Sequence, residues 1–311
     1  MTSGNPENTE TQVDRAEPQG PDFVLDQNEM RRGALRRLTQ RSGPWRLILP
    51  DTSIIEMSKS DAWQYTMRRS FNEIVHLKDR VFGTISVGEA IRYERDEQKP
   101  ITRAGLIDDK VSAFFRDLIE VMTSSHRYPG RIAALQDAMG HMRPAVALVE
   151  TNPEKAKAEV IAYTESFQKD AGKGIHKGLR NRAINKQAQL GLLRVALPYI
   201  LKFSFPELKT VDTARLETEK PFTFRFVCLK MLNAMRWARD GGLNTAKPSK
   251  VLNGLLDLEY ALFASFFDGL LSKDKIANEN LADLQSLLDV SQRQILLDAF
   301  RAYLQTSRRA D

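Results

Sequence analysis

Cysteine is almost absent from this chain. One residue, Cys228, stands among 311, which excludes an internal disulfide and a thiolate zinc site and points to a reducing, cytoplasmic setting. Histidine is scarce too. His76, His126, His141 and His176 include no pair at the i, i+4 spacing of helical zinc enzymes, so any metal would be held by oxygen. No continuous apolar run approaches ~18 residues, so no membrane span is expected. The polar N-terminus lacks the apolar stretch of a secretory signal.

What is present suffices for a real core: 42% of the residues are hydrophobic. The length fits one large domain or two ordinary ones. A net charge of +6 and a pI near 9.3 suit a polyanionic partner, and equally a mildly basic protein that binds nothing acidic.

The pattern along the chain predicts an α/β fold interrupted by helices. Residues 1–27 read as a disordered tail, polar and without periodicity. Residues 28–43 are a basic segment, with Arg31, Arg32, Arg36, Arg37 and Arg41 around Met30, Leu35 and Leu38. It fits either a phosphate-contacting helix or a solvated one. In 44–98, a strand at 46–49, a helix from Ser53 to Val75 and a strand from Val81 make a βαβ unit with parallel strands. Residues 99–245 carry helical apolar spacing over 107–122, 131–149, 154–167, 183–203 and 222–239, and form an all-helical insertion. Residues 246–311 return to the α/β pattern, with a helix over 251–267, a short strand at 269–272, a helix after Asp274 and a terminal amphipathic helix.

Four carboxylates end apolar runs or head the helices that follow them: Asp51, Glu89, Asp257 and Asp274. Parallel strands point their C-terminal ends to one rim, where Asp51 and Glu89 would lie. A helix beginning with Asp257 starts at that rim and runs back across the sheet; the following strand returns to it at Asp274. Asp268, eleven residues beyond Asp257 or about 16 Å along a helix, falls at the opposite edge, where Asp268-Gly269 makes a tight turn. Clustered carboxylates repel one another, and a hard cation such as Mg²⁺ or Mn²⁺ relieves the repulsion. Such an ion activates water and stabilises charge on a phosphoryl group, so a phosphodiester is the matching substrate. Thr52, Ser53 and Ser272 are placed to hydrogen-bond a metal-bound water or a carboxylate. Each acid alone also fits a helix cap. Glu259 lies about 200° around the helix from Asp257 and is read as outside the site; Glu56 is read as an outer group at most.

Leu49-Pro-Asp51-Thr-Ser-Ile-Ile, Ser86-Val-Gly-Glu89 and the segment from Asp257 to Ser272-Lys-Asp274 resemble the PIN-domain nucleases over roughly a third of the chain. The resemblance implies a PIN-like parallel sheet with flanking helices, here carrying an inserted helical region. It further implies a Mg²⁺- or Mn²⁺-dependent endoribonuclease with Asp51, Glu89, Asp257 and Asp274 as metal ligands. A catalytically inactive RNA-binding scaffold, a single-stranded DNA nuclease and another acidic-rim phosphohydrolase are the alternatives. An inhibitory protein partner and self-association stay open. For RNA contact, Lys173, His176, Lys177 and Arg180 would share one helical face suited to phosphates. Gly172, Gly174 and Gly178 argue instead for a flexible, solvated loop.

Overall fold

The computed structural model describes residues 20–30, 35, 43–58, 62–124, 130–131, 133–134, 152–204 and 213–307. Its centre is a sheet of five short strands: β1 (Asp22–Leu25), β2 (Arg46–Leu49), β3 (Val81–Thr84), β4 (Ile107–Asp108) and β5 (Leu270–Leu271). The spatial order is β4-β3-β2-β1-β5. β1 pairs parallel with both β2 and β5, β2 pairs parallel with β3, and only β4 is antiparallel.

Residues 22–27 therefore do not belong to a disordered tail. Asp22–Leu25 is the strand between β2 and β5, with Val24 and Leu25 fully buried. Arg46 bonds Asp22 through two nitrogens, at 2.6 and 2.5 Å, which neutralises a carboxylate that has no exposure. A charged residue can begin a buried strand only with such a partner.

The helices are α1 (Gln27–Met30), α2 (Thr52–Ser58), α3 (Trp63–Asn72), α4 (Val87–Glu97), α5 (Arg103–Leu106) and α6 (Asp109–Thr123). They continue as α7 (Pro153–Arg180), α8 (Lys186–Ser204), α9 (Thr213–Glu219), α10 (Phe222–Asp240), α11 (Pro248–Ala264), α12 (Lys275–Leu288) and α13 (Arg293–Ser307). The helix expected over Ser53 to Val75 is two helices, α2 and α3. Of the helix expected over 131–149, residues 131, 133 and 134 are described and are helical, while its other residues and the arginines of the basic segment lie outside the described residues.

Alternation along the strands sends side chains to two faces. Leu25, Leu47, Leu49 and Val81 pack with Met30, Met57, Phe71, Phe115 and Ile119 of α1, α2, α3 and α6. Val24 and Ile48 pack on the other face with Val87, Ala90, Leu258, Ala261 and Leu284. That second core runs on through Cys228, Leu232 and Met235 of α10 and through Leu193, Leu296 and Phe300 of α8 and α13. The inserted helices thus share one hydrophobic core with the sheet. Within the segment read as all-helical, β4 joins the sheet and α6 covers it.

The chain turns to opposite faces after the two neighbours β1 and β5. α1 buries Met30 in one core, whereas α12 buries Leu281 and Leu284 in the other. The crevice between the carboxyl ends of β1 and β5 is therefore a topological switch point, the place where open α/β sheets bind ligands.

Candidate active site

Asp26 follows β1 and is 3% exposed. Ser272, just beyond β5, donates its hydroxyl to Asp26 Oδ2 at 2.5 Å, and the Asn28 backbone N–H donates to Oδ1 at 2.9 Å. This pair spans the switch point. Beside it, Pro50 ends β2, and the Asp51 carbonyl starts α2 by accepting from Ile54 and Ile55. Asp51 Oδ1 accepts the Thr52 N–H at 2.9 Å.

α11 crosses the sheet and brings Glu259 and Tyr260 to this edge. The Thr52 hydroxyl donates to Glu259 Oε2, a buried contact. Tyr260 donates to Glu56 Oε2 at 2.9 Å, lies 3.3 Å from Ser53 Oγ, and accepts the Gln27 N–H at 3.4 Å. One phenol therefore ties α11 to α1 and α2. Burial raises the Glu259 carboxyl to about 8, with the Asp51 and Glu56 charges adding to the rise. Burial likewise raises Asp51 to about 7, with Glu89 adding to it. Burial and the nearby Glu56 and Asp26 charges push the Tyr260 hydroxyl upward as well.

The sequence-expected ligands divide. Asp51 stands in the cluster. Glu89 is exposed and closes a capping box on α4: Ser86 donates to Glu89 Oε2 from its N–H at 2.8 Å and its hydroxyl at 2.7 Å, and accepts the Glu89 N–H at 3.2 Å. Its charge still reaches Asp51. Asp274 caps α12, accepting from Ile276 at 2.6 Å and Ala277 at 2.9 Å. Asp257 is half-buried on α11, two residues and about 200° before the face that meets Thr52. The α11 acid that reaches this edge is Glu259, the one read as lying outside. Glu56 is buried, accepts from Tyr260, and its charge reaches Glu259. Asp26 falls within the stretch expected to be a disordered tail, although Val24-Leu25-Asp26 has the same form, an acid ending an apolar strand, as Leu49-Pro50-Asp51.

Of the expected helpers, Thr52 bonds Glu259, Ser53 lies against Tyr260, and Ser272 holds Asp26 while accepting the Asp274 N–H at 2.9 Å. Asp268 lies at the opposite edge. It accepts the N–H of Asp22, the first residue of β1, at 2.7 Å, and pairs with Arg103 at 2.5 Å. Among the described residues, no three His, Cys, Asp or Glu side chains converge as a ready metal-ligand set.

The stretch carrying Lys173, His176, Lys177 and Arg180 is helical. Gly172, at φ 79° and ψ 161°, kinks α7, and helical geometry resumes through Arg180. Lys173, Lys177 and Arg180 are exposed, whereas His176 is half-buried with an enclosed, unbonded Nε2. The exposed row is therefore three cations.

No protein-family model, curated protein or solved structure significantly matches this chain. The reading of the site rests on its geometry. Among the described residues, no helix is long and apolar enough to cross a membrane.

Proposed function

We propose that the protein is a divalent-cation-dependent nuclease of PIN-like architecture that hydrolyses RNA phosphodiesters at the edge bearing Asp26, Asp51, Glu56 and Glu259. The observation that carries this reading is the gathering of Asp51, Glu259 and Glu56, the first two with raised carboxyls, next to Asp26 at the switch point. Buried carboxylates near one another hold protons more tightly than free ones. Perturbed acids gathered in one place are a mark of functional sites.

The donors fit Mg²⁺ or Mn²⁺ in kind, since all are hard oxygens. Among the described residues they do not form a complete set, so binding would draw carboxylates together by side-chain rotation. When bound, the ion supplies Lewis-acid polarisation and a water acidified toward neutral pH. Asp51 and Glu259 would release their protons on taking it up. Tyr260 holds Glu56 in place, and Ser272 fixes the orientation of Asp26. The row of Lys173, Lys177 and Arg180 supplies phosphate contacts that carry no base information.

The capping bonds of Glu89 and Asp274 favour one second reading: a non-catalytic RNA-binding scaffold on the same fold. One assay separates the two. Labelled RNA and single-stranded DNA are incubated with Mn²⁺ or chelator, beside Asp26→Asn, Asp51→Asn and Glu56→Gln. The nuclease reading expects Mn²⁺-dependent RNA cleavage that falls at least 100-fold in each variant. Cleavage that persists in all three overturns the site; RNA binding without any cleavage establishes the scaffold.

A further inference from the structure

A cavity of about 220 Å³ opens beside the acidic edge. Val87, Leu229, Leu255 and Leu258 give it apolar walls, Phe226 an aromatic one, and Glu259 belongs to its lining. The cavity is thereby contiguous with the carboxylate cluster. Lys230 and Glu159 also line it and form an ion pair at 2.5 Å. The Lys230 ammonium lies 5.2 Å from the Phe226 ring centre and 5.4 Å from that of Tyr163.

We propose that this cavity receives one purine base of the nucleic acid whose backbone lies at the acidic edge, a role that rests on the nuclease reading above. Size is the first argument. An apolar cavity of about 150 Å³ already admits benzene, so this one has room for a bicyclic ring. Chemistry is the second. A purine has two apolar faces, matched by Phe226 and the leucines, and a polar edge on which acceptor and donor atoms are neighbours. Lys230 offers donors and Glu159 an acceptor, side by side. Stacking of a base on an aromatic ring contributes about 1–3 kcal/mol.

The position of the cavity gives the idea its use. A base seated there fixes the register of the strand, so the phosphate presented to Asp51 and Glu259 would be the one next to a purine. Phe226 and Lys230 would then determine specificity without touching the scissile bond.

The test is titration of the full-length protein with 2-aminopurine ribonucleoside 5′-monophosphate in chelator, read by quenching of its fluorescence. We expect saturable quenching, weakened at least tenfold in Phe226→Ala, in Leu255→Trp, which fills the cavity, and in Lys230→Met. Lys230 is partly exposed, so its variant keeps the fold and the comparison holds if the other two do not fold. Absence of saturable quenching, or equal affinity in folded Phe226→Ala and Lys230→Met, overturns the proposal. Because the readout needs neither metal nor cleavage, saturable binding in a protein that cuts nothing would retain the base site and reject the nuclease.

Discussion

The hydroxyl of Tyr260 donates to Glu56 Oε2 at 2.9 Å, joining two residues 204 positions apart in the chain. Both are buried, and the bond ties α11 to α2 at the carboxyl edge of the sheet. Removing the hydroxyl deprives a buried carboxyl of a donor, a loss that costs about 1–3 kcal/mol. Tyr260→Phe should therefore lower stability in urea by about that amount with an unchanged m-value. Under the proposed function it should also cut cleavage more than RNA binding, because Glu56 is held less firmly. A variant as stable as the parent would show that the bond is not made.

The raised carboxyls imply a definite pH dependence. Asp51 and Glu259 hold their protons more tightly folded than unfolded, from ordinary values of 3.8 and 4.5 to about 7 and about 8. The folded state then binds more protons than the unfolded one, so stability falls as pH rises between roughly 4 and 8. For buried Glu259 the loss is on the order of 2–3 kcal/mol once relaxation is allowed for. Thermal melts in chelator should show a lower midpoint at pH 8.5 than at pH 5.5. Glu259→Gln should flatten that slope, and Mn²⁺ should raise the midpoint most at the higher pH. Parallel pH curves for parent and variant would sink the assignment.

How much of this could be seen in the chain follows from where the information is local. β2 and β3 are legible because Leu47-Ile48-Leu49 and Val81-Phe82 are apolar and β-prone. Most inserted helices are legible because each keeps a 3.6-residue stripe. β1 is not. Its four residues begin with Asp22, whose burial makes sense only once Arg46 and Arg103 arrive from elsewhere. Its two parallel partners are likewise distant in sequence. Which of Asp257 and Glu259 meets Thr52 is illegible in the sequence for another reason. Leu256, Leu258, Tyr260, Ala261, Leu262 and Phe263 are all buried, so α11 is enclosed on nearly every side and its apolar pattern does not mark the face toward the edge. The placement of Asp268 succeeded because it needed only the rise per residue.

Asp274 tests whether an acid at a strand end acts as a cap or as a ligand. Its side chain accepts from two N–H groups of the first turn of α12. Asparagine caps almost as well as aspartate, whereas alanine forfeits about 1 kcal/mol. Asp274→Ala should thus lose about that much stability and Asp274→Asn little, with cleavage retained in Asp274→Asn. Loss of Mn²⁺-dependent cleavage in a stable Asp274→Asn protein would return Asp274 to the ligand set.

Asp22 makes the opposite edge a control for the site. It has no exposure and meets Arg46 at 2.5 Å and Arg103 at 2.7 Å. Asp268 completes the group by bonding the Asp22 N–H and Arg103. Removing one partner from a buried ion pair costs about 3–5 kcal/mol. Asp22→Ala should therefore be strongly destabilised, while Asp268→Asn, whose carboxylate is partly exposed, should lose much less. Since this network lies at the amino ends of the strands, its damage should appear in unfolding and leave the rate per folded molecule unchanged. The measurement is cleavage at a temperature well below both melting midpoints. A rate that fell in a fully folded Asp268→Asn protein would mean that the two edges of the sheet are coupled.

The row of Lys173, Lys177 and Arg180 gives a prediction independent of the chemistry. Each exposed cation that neutralises a phosphate releases condensed counterions, which sets the salt dependence of binding. For single strands each contact contributes about 0.7 to the slope of log affinity against log salt. The triple alanine variant should bind RNA more weakly at low salt and lower the slope by about 2. It should do so for every sequence alike, since phosphate contacts carry no base information. His176→Ala, whose ring nitrogen Nε2 is enclosed, should leave the slope where it was. A titration in which the triple variant matched the parent across 50–300 mM salt, about the range over which such slopes are measured, would remove this face from the RNA path and leave the cavity and the acidic edge to bind the strand alone.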